Sequence, residues 1–301
     1  MRFNKLDLNL LVILNALLTE KSISRAAEKV HLSQPAASNA LARLRAYFND
    51  DLLVSSGRQS LLTPRAESLV EPVREVLMRI DSTIATPPEF NPLTEIRTVT
   101  FLVSDFTSTI LMPALLADLS KSAPGIRIQL CPQTMRAEEA MEQGEADFLI
   151  IPSQFLAKTH PSVALFEEEY VCVTWEGNSK VGDHLSLDTF LECGHVMANF
   201  GGDRSTTFDG WFVDSFDVKR RVEVMAPTMA NLPDLVIGTD RITTVQRRVA
   251  QRAAAWLPVK VWTPPIKIPH LVQALQWHKY RNNDPAIAWL RKRVIDIAAK
   301  I

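Results

Sequence analysis

The stretch from Ser22 to Arg45 constrains this chain most, because two blocks of helix-spaced apolar residues are separated there by only a short turn. Ile23, Ala26, Ala27 and Val30 fall at i, i+3, i+4 and i+7, which places them on one face of a short helix that Ser22 or Ser24 can cap. His31 and Leu32 form the turn. Ser33 is then a good N-cap, and Pro35 is tolerated because first-turn amides have no intrahelical acceptor. The next helix therefore starts near Gln34 and buries Ala37, Leu41, Leu44 and Phe48. Ala26 and Ala27 let another helix approach closely. A preceding amphipathic helix, from about Asp7 to Thr19, carries Leu10, Leu14 and Leu17 with Leu11 and Leu18 beside them.

Opposite the buried stripe, the helix from Gln34 presents Pro35, Ser38, Asn39, Ala42 and Arg43, a small polar face with one cation. Short side chains allow close approach to a major groove, Asn and Gln pair with adenine edges, and Arg pairs with guanine or phosphate. The helix N-terminus itself favours a phosphate. Two β-prone runs follow, Leu52 to Ser55 and Ser60 to Leu62, joined through Gly57-Arg58 as a hairpin with an arginine at its tip. Taken alone, these residues also fit a three-helix protein-interaction module whose small side chains serve packing only.

Thr63-Pro64 is a cap followed by a helix-starting proline. The helix is expected to run to about Ile84, with Ala66, Val73 and Ile80 and again Val70, Leu77 and Ile84 repeating every seven residues, and Leu69 and Val76 between them. That pattern predicts a dimer seam; the alternative is a helix packed on its own domain. The proline-rich segment Pro87-Pro88-Glu89-Phe90-Asn91-Pro92 ends it as a hinge.

From Ile96 strand and helix alternate. Strands are expected at Val99 to Val103, Ile126 to Leu130 and Phe148 to Ile151, with helices at Thr107 to Leu119 and Ala137 to Gln143. A second α/β unit begins at strand Tyr170 to Trp175, with helices Leu187 to Glu192, Phe208 to Phe216 and Met229 to Ile237. Strand Leu271 to Trp277 and a last helix after Asp284-Pro285 return to the first unit. In open α/β sheets ligands bind beyond the carboxyl ends of the strands. That rule nominates Ser104, Asp105, Phe106, Thr107, Pro152 and Ser153 from one unit. It nominates Glu169, Thr228 and the loop Phe200-Gly201-Gly202-Asp203-Arg204 from the other. Each has a plainer use: Ser104 and Asp105 as helix caps, Phe106 as core, Gly201-Gly202 as a turn.

Charge separates the two ends. Residues 1 to 65 hold nine Lys and Arg against five Asp and Glu, and the remaining 24 against 29 make the rest acidic. The head is thus the nucleic-acid candidate. Cys131, Cys172 and Cys193 are odd in number and sit in apolar context, which predicts reduced thiols and a cytoplasmic protein. The apolar run Leu8 to Leu18 is interrupted by Asn9 and Asn15 and falls short of the roughly 20 residues a bilayer needs, so no membrane span is expected. The histidines show no zincin spacing, the cysteines form no CxxC pair, and no phosphate-cradling loop, dinucleotide fingerprint or nucleophile elbow occurs. Cys193 and His195 read as a buried thiol and an ordinary histidine. Neither an enzyme nor a cofactor is expected. A periplasmic solute-binding protein and a purely structural dimer module are the remaining classes.

The run Ser22 to Arg45 resembles the helix-turn-helix signature of LysR-type transcription regulators: the Ala26-Ala27 pair, the Ser33-Gln34-Pro35-Ala36 start and the later Leu62-Thr63-Pro64 all fall in register. The resemblance implies that Ser33, Gln34, Pro35, Ser38, Asn39 and Arg58 face DNA. Many relatives carry arginine where this chain has Asn39. The segments Leu6-Asp-Leu-Asn-Leu-Leu11, Phe90-Asn-Pro-Leu93, Gln276-Trp-His-Lys-Tyr280 and Trp289-Leu-Arg291 resemble the branch of flavonoid-sensing nodulation regulators and naphthalene- or salicylate-sensing regulators.

The fold so implied is α plus α/β. A winged helix-turn-helix spans 1–63 and a linker helix with hinge 64–90. A two-lobed, periplasmic-binding-protein-like effector domain spans 91–301, with lobe I at about 91–167 and 270–301 and lobe II at about 168–269. The implied function is activation of an aromatic degradation operon by a homodimer or homotetramer that binds an interrupted palindrome of double-stranded DNA, responds to a small aromatic effector, phenolic or chlorinated, and engages RNA polymerase. A non-aromatic pathway is the alternative. Naphthalene-type relatives have histidine where Glu169 stands; a carboxylate there disfavours an anionic ligand and suits a phenol hydroxyl.

Overall fold

A computed structural model describes residues 2–3, 6–56, 59–80, 82, 90–133, 137–199, 208, 211–212 and 220–301. The chain divides into two compact units, residues 1–88 and 89–301.

The first unit opens with two short paired strands, β1 (Arg2–Phe3) and β2 (Leu6–Asp7), followed by α1 (Leu10–Glu20), α2 (Ile23–Lys29) and α3 (Gln34–Phe48). Helix α1 buries Leu10, Leu11, Ile13, Leu14, Ala16, Leu17 and Leu18, more than one stripe, because α2, α3 and the later helix Pro64–Ile80 all pack around it. Each fully buried leucine contributes about 2 kcal/mol of transfer free energy. Ser22 caps α2 and Ser33 caps α3, their hydroxyls accepting from Arg25 N and Ala36 N. The turn between these helices is a Schellman motif. His31 takes the left-handed conformation at φ 55°, its N–H reaches Glu28 O, and Leu32 N–H reaches Ala27 O.

Strands β3 (Leu53–Ser56) and β4 (Gln59–Leu62) pair antiparallel as the wing. Its base is tied to α4 (Pro64–Ile80) by Asp50, whose Oδ1 accepts from Leu52 N and from the Thr63 hydroxyl; Thr63 Oγ1 in turn caps α4 at Ala66 N. These bonds hold the Asp50 carboxyl below the usual carboxylate range, the Thr63 hydroxyl contributing most. Part of the stripe expected to be a dimer seam packs on the chain's own first unit. Ala66 and Val73 are buried, and Leu69, Val70 and Leu77 pack against the same core as α1. A surface helix beside a three-helix core satisfies its apolar stripe locally first, which leaves Val76 as the exposed apolar residue of α4. Ile84 and the segment Pro87-Pro88-Glu89 lie outside the described residues.

The second unit contains two five-stranded sheets. Strands β5 (Arg97–Val103), β6 (Ile126–Pro132), β7 (Phe148–Pro152), β8 (Ser162–Glu168) and β14 (Leu271–Trp277) form the first, in the order β6-β5-β7-β14-β8. Strand β5 runs parallel to β6 and β7, and β14 antiparallel to β7 and β8. Both faces of β5 are covered: Val99, Phe101 and Val103 point to one apolar cluster and Leu102 to another, as two-residue alternation requires. The helix expected at Thr107 to Leu119 is two, α5 (Asp105–Ile110) and α6 (Met112–Ser122), because Pro113 cannot donate a backbone hydrogen bond and starts a new helix. Helix α7 (Ala137–Glu142) precedes β7.

The second sheet is ordered β11-β10-β12-β9-β13, from β9 (Tyr170–Trp175), β10 (His195–Ala198), β11 (Val222–Ala226), β12 (Ile242–Gln246) and β13 (Val259–Trp262). Only β9 of these was expected, and β8 was missed as well. Helix α8 (Leu187–Glu192) and α9 (Arg247–Ala254) cover it, and the helix expected over Met229 to Ile237 is a single 3-10 segment at Leu232–Val236. Of the helix expected over Phe208 to Phe216, only Phe208, Trp211 and Phe212 are described. The chain passes from β8 to β9 at Glu169 and returns from β13 to β14 between Trp262 and Leu271. Helix α10 (Pro285–Ala298), capped by Asp284, then packs on the first sheet.

Candidate functional site

Two surfaces collect the nominated residues, one in each unit. On α3, Ser33, Gln34, Pro35, Ser38, Asn39, Ala42 and Arg43 are all exposed, while Ala37, Ala40, Leu41 and Leu44 are buried. The face is therefore continuous and free of large apolar groups, as groove entry demands. Ser33 spends its hydroxyl on the helix cap. Arg43 is not a free cation: its Nη2 donates to Asp7 Oδ2 at 2.7 Å, and this bond is the main reason the Asp7 carboxyl lies below its ordinary range. Arg45 is a staple, donating to Asp51 O and Leu53 O at the base of the wing. Arg58 lies outside the described residues.

In the second unit the segment after β5 performs several tasks at once. Ser104 Oγ accepts from Thr107 N at 3.2 Å and lies 3.1 Å from the Thr107 hydroxyl, so the two close the first turn of α5. Thr107 is fully buried. Asp105 reaches across to the second lobe, where its Oδ2 accepts from Met229 N at 2.6 Å and Ala230 N at 2.7 Å. Phe106 packs into the apolar cluster of the second sheet, with Val171, Val173, Val196 and Val245, and meets Phe166 at 6.3 Å between ring centroids. The structure thus brings Asp105 and Phe106 together with the segment that follows Thr228. The Thr228 hydroxyl itself bonds Asn231 Oδ1.

Pro152 ends β7 opposite Gln273 of β14, and Ser153 opens a short exposed 3-10 turn. Glu169 stands at the crossover, half-exposed, with its Oε2 at 2.7 Å from both Nε and Nη2 of Arg247. Its charge is therefore compensated within the chain. One residue earlier, buried Glu168 pairs with Arg248, whose guanidinium also lies over the Phe166 ring at 4.9 Å and donates to Glu167 O. Phe200 and Gly202 lie outside the described residues.

Two residues escaped sequence reasoning. Gln246 and Gln273 are 2% and 3% exposed, and the amide Oε1 of each has no hydrogen-bond partner. Gln246 stands opposite Tyr170, and Gln273 opposite both Pro152 and Phe166, so they flank the two crossovers. Gln246 Nε2 contacts Met229 Sδ at 3.5 Å, next to the segment that Asp105 holds. Leaving a buried acceptor unsatisfied costs about 1–3 kcal/mol. Gln276, equally buried, makes the contrast: it bonds Ala157 N and Ala157 O and serves structure alone. The only advance signal was a glutamine inside each of two otherwise strand-like runs.

Two of the three cysteines are poor nucleophiles. Burial pushes the Cys172 thiol up to about 12 and raises Cys193, so neither supplies a thiolate. His195 donates to Phe190 O at 2.7 Å within an apolar cluster, and burial pushes it down to about 4.

Residues 8–67 match the family described as bacterial regulatory helix-turn-helix protein, lysR family, and residues 94–298 match the LysR substrate binding domain. Nodulation protein D 1 of Bradyrhizobium sp. (strain NC92) is 38% identical over 301 residues, which cover 100% of this chain and 96% of that protein. The crystal structure of a probable transcriptional regulator from Pseudomonas aeruginosa is 27% identical, with a TM-score of 0.63 over 97% of each chain. A full-length OxyR variant from the same organism, at 17% identity, shares the fold with a TM-score of 0.73 over 96% of this chain and 94% of its own. A winged helix-turn-helix head joined to a two-sheet α/β domain of this kind defines a DNA-binding transcription regulator. The chain belongs to the LysR family of such regulators, and it is a regulator rather than an enzyme. No described helix is long and apolar enough to cross a membrane.

Proposed function

We propose that this regulator activates transcription in response to a small hydroxylated aromatic molecule bound between the lobes of its second unit, with residues 1–63 on DNA, 64–90 as linker and 91–301 as sensor. The carrying observation is the pair of buried amide oxygens, Gln246 Oε1 and Gln273 Oε1, without partners beside the crossovers. Acceptors so placed call for a ligand with O–H donors. Phe166, partly buried next to the same crossovers, would supply aromatic surface. The ion pair of Glu169 with Arg247 removes Glu169 as the reason for preferring a phenol, and the glutamines take its place.

On DNA, Gln34, Pro35, Ser38 and Asn39 would face base edges, with Ser33, Arg43 and Arg58 near the backbone. A cytoplasmic homodimer or homotetramer would match an interrupted palindrome, since protein symmetry is mirrored in half-site symmetry. Effector-driven lobe movement would then change the geometry presented to RNA polymerase. The regulated genes are proposed to be those of aromatic degradation. The resemblance to flavonoid-sensing nodulation regulators, beside a relative named nodulation protein D 1, favours a second reading in which the aromatic is a flavonoid-type signal.

The test is calorimetric titration of the full chain with phenols, chlorinated hydroquinones, salicylates and flavonoids, followed by a gel shift on the DNA upstream of its own gene. Selective binding that is lost in Gln273→Leu, with DNA binding intact, supports the proposal. Preference for flavonoids over simple phenols selects the second reading, and no binding to any aromatic with DNA binding intact rejects both.

A further inference from the structure

A constellation in the first lobe is independent of both surfaces. Strand β14 pairs antiparallel with β8, Gln276 facing Ser162, and the same register continued two residues sets His278 opposite His160 on one face. The two imidazoles meet at 4.5 Å between ring centroids. From α7, Glu142 turns its carboxylate toward both: Oε1 lies 3.2 Å from His160 Nε2 and Oε2 lies 3.7 Å from His278 Nε2. One ligand atom from each of the three residues falls within 4.8 Å of the others.

The His160 side chain is fully buried, yet neither of its ring nitrogens makes a hydrogen bond; the 3.2 Å approach to Glu142 is too poorly aligned to count as one. A buried imidazole is normally satisfied on at least one nitrogen. Gln276 holds the backbone here, bonding Ala157 O and His160 O. Glu142 is about one-third exposed at the rim.

We propose that Glu142, His160 and His278 form a binding site for a divalent cation of the zinc class. Zinc bonds to nitrogen and carboxylate oxygen of about 2.0–2.1 Å put tetrahedral ligand atoms about 3.3 Å apart. The 3.2 and 3.7 Å separations already approach that edge, and all three ligand atoms lie within 4.8 Å of one another. Two imidazoles and one carboxylate suit zinc, copper or nickel, whereas calcium and magnesium take shells of six or more oxygens. The exposed side of Glu142 leaves a fourth position for water. His278 Nδ1 accepts from Tyr280 N at 3.2 Å, so its proton sits on Nε2, facing Glu142. Metal on Nε2 requires the other tautomer: the Nε2 proton moves through solvent to Nδ1 with no net loss, and Nδ1–H no longer accepts from the Tyr280 amide. The spacing of these residues, 18 and 118 positions apart, matches no metal motif, because only the β14–β8 register and the end of α7 bring them together.

The experiment uses the full chain, stripped by chelator and titrated with Zn²⁺ by calorimetry and with Co²⁺ by visible absorption, while hydrogen exchange is followed at Tyr280. The expected result is one equivalent of Zn²⁺, Co²⁺ bands of low-coordinate type, faster exchange at the Tyr280 amide, and loss of binding in His160→Gln and His278→Gln. Glu142→Gln, at the rim and harmless to folding, should weaken binding at least about tenfold even where the buried histidine variants fold poorly. Absence of saturable Zn²⁺ binding, or binding that Glu142→Gln leaves unchanged, overturns the proposal.

Discussion

The Arg43–Asp7 pair shows how one contact redirects a residue that sequence alone assigns to DNA. Arg43 lies on the exposed face of α3, but its guanidinium is held by a carboxylate 36 positions earlier. A phosphate must compete with Asp7 for it. Asp7→Asn should therefore raise DNA affinity a few-fold at low salt and steepen the salt dependence by about one released counterion. Parallel gel shifts over a salt series check this, and an unchanged slope would mean that Arg43 does not reach the backbone. His195 gives a residue-scale prediction of another kind. Unfolded, its pKa is 6.5; folded, burial holds it at about 4. Between those values the unfolded chain binds a proton that the folded chain refuses. Stability therefore falls as pH drops from about 6.5 toward 4, by roughly 3 kcal/mol in all at about 1.36 kcal/mol per unit. His195→Gln, which keeps a donor for Phe190 O, should flatten the urea midpoint across that window; equal slopes in both proteins would refute the assignment.

Among elements, α10 is the most exposed to a single change. Asp284 is fully buried and does two things: Oδ1 accepts from Ala286 N and Ile287 N at the helix start, and Oδ2 lies 2.8 Å from Arg97 Nη1 on β5. Asp284→Ala removes the cap and strands a part-buried arginine, at a cost of about 3–5 kcal/mol. Asp284→Ser keeps a cap and loses only the charge. Thermal unfolding should rank wild type above Ser above Ala, and identical Ser and Ala melting would assign the whole effect to the ion pair. Asp284-Pro285 was legible in sequence because a cap followed by proline has few other uses. Strands β7 and β9 were legible as apolar runs. The missed strands fail for identifiable reasons. In β12, Thr243, Thr244 and Gln246 are buried polar residues that break an apolar run, and in β11 exposed Glu223 alternates with half-buried Val222 and Val224 at a sheet edge. The α4 stripe is ambiguous for a different reason: heptad spacing fits a partner helix and the chain's own α1 equally well. The unpartnered glutamines of the sensor could not be seen, since hydrogen-bond satisfaction is a property of the packed lobe and not of the run that contains the residue.

At the scale of the molecule, the α3 face and the glutamines beside the crossovers lie in different compact units. On the proposed function, signalling would require a movable element in the sensor, and the two lobes are the candidates. Among the described residues, the contacts that span them include Asp105 on Met229 N and Ala230 N, the buried Glu168–Arg248 pair, and Phe106 seated in the apolar cluster of the second sheet. The last two are packed close to the crossovers, where a hinge moves least. The Asp105 bonds lie at the first turn of α5 and grip the backbone of Met229 and Ala230. Hydrogen bonds to an ionised carboxylate contribute about 1.5–3 kcal/mol each, which makes this contact the adjustable share of lobe closure. Asp105→Ala should speed amide exchange at Met229 and Ala230 by about tenfold or more. It should also weaken effector binding by a similar factor, because a ligand seated between the lobes must then close them unaided. DNA affinity without effector should stay at the wild-type level. Faster exchange with unchanged effector affinity would show that the ligand does not depend on the interlobe arrangement, and would move the search for its site away from the crossovers.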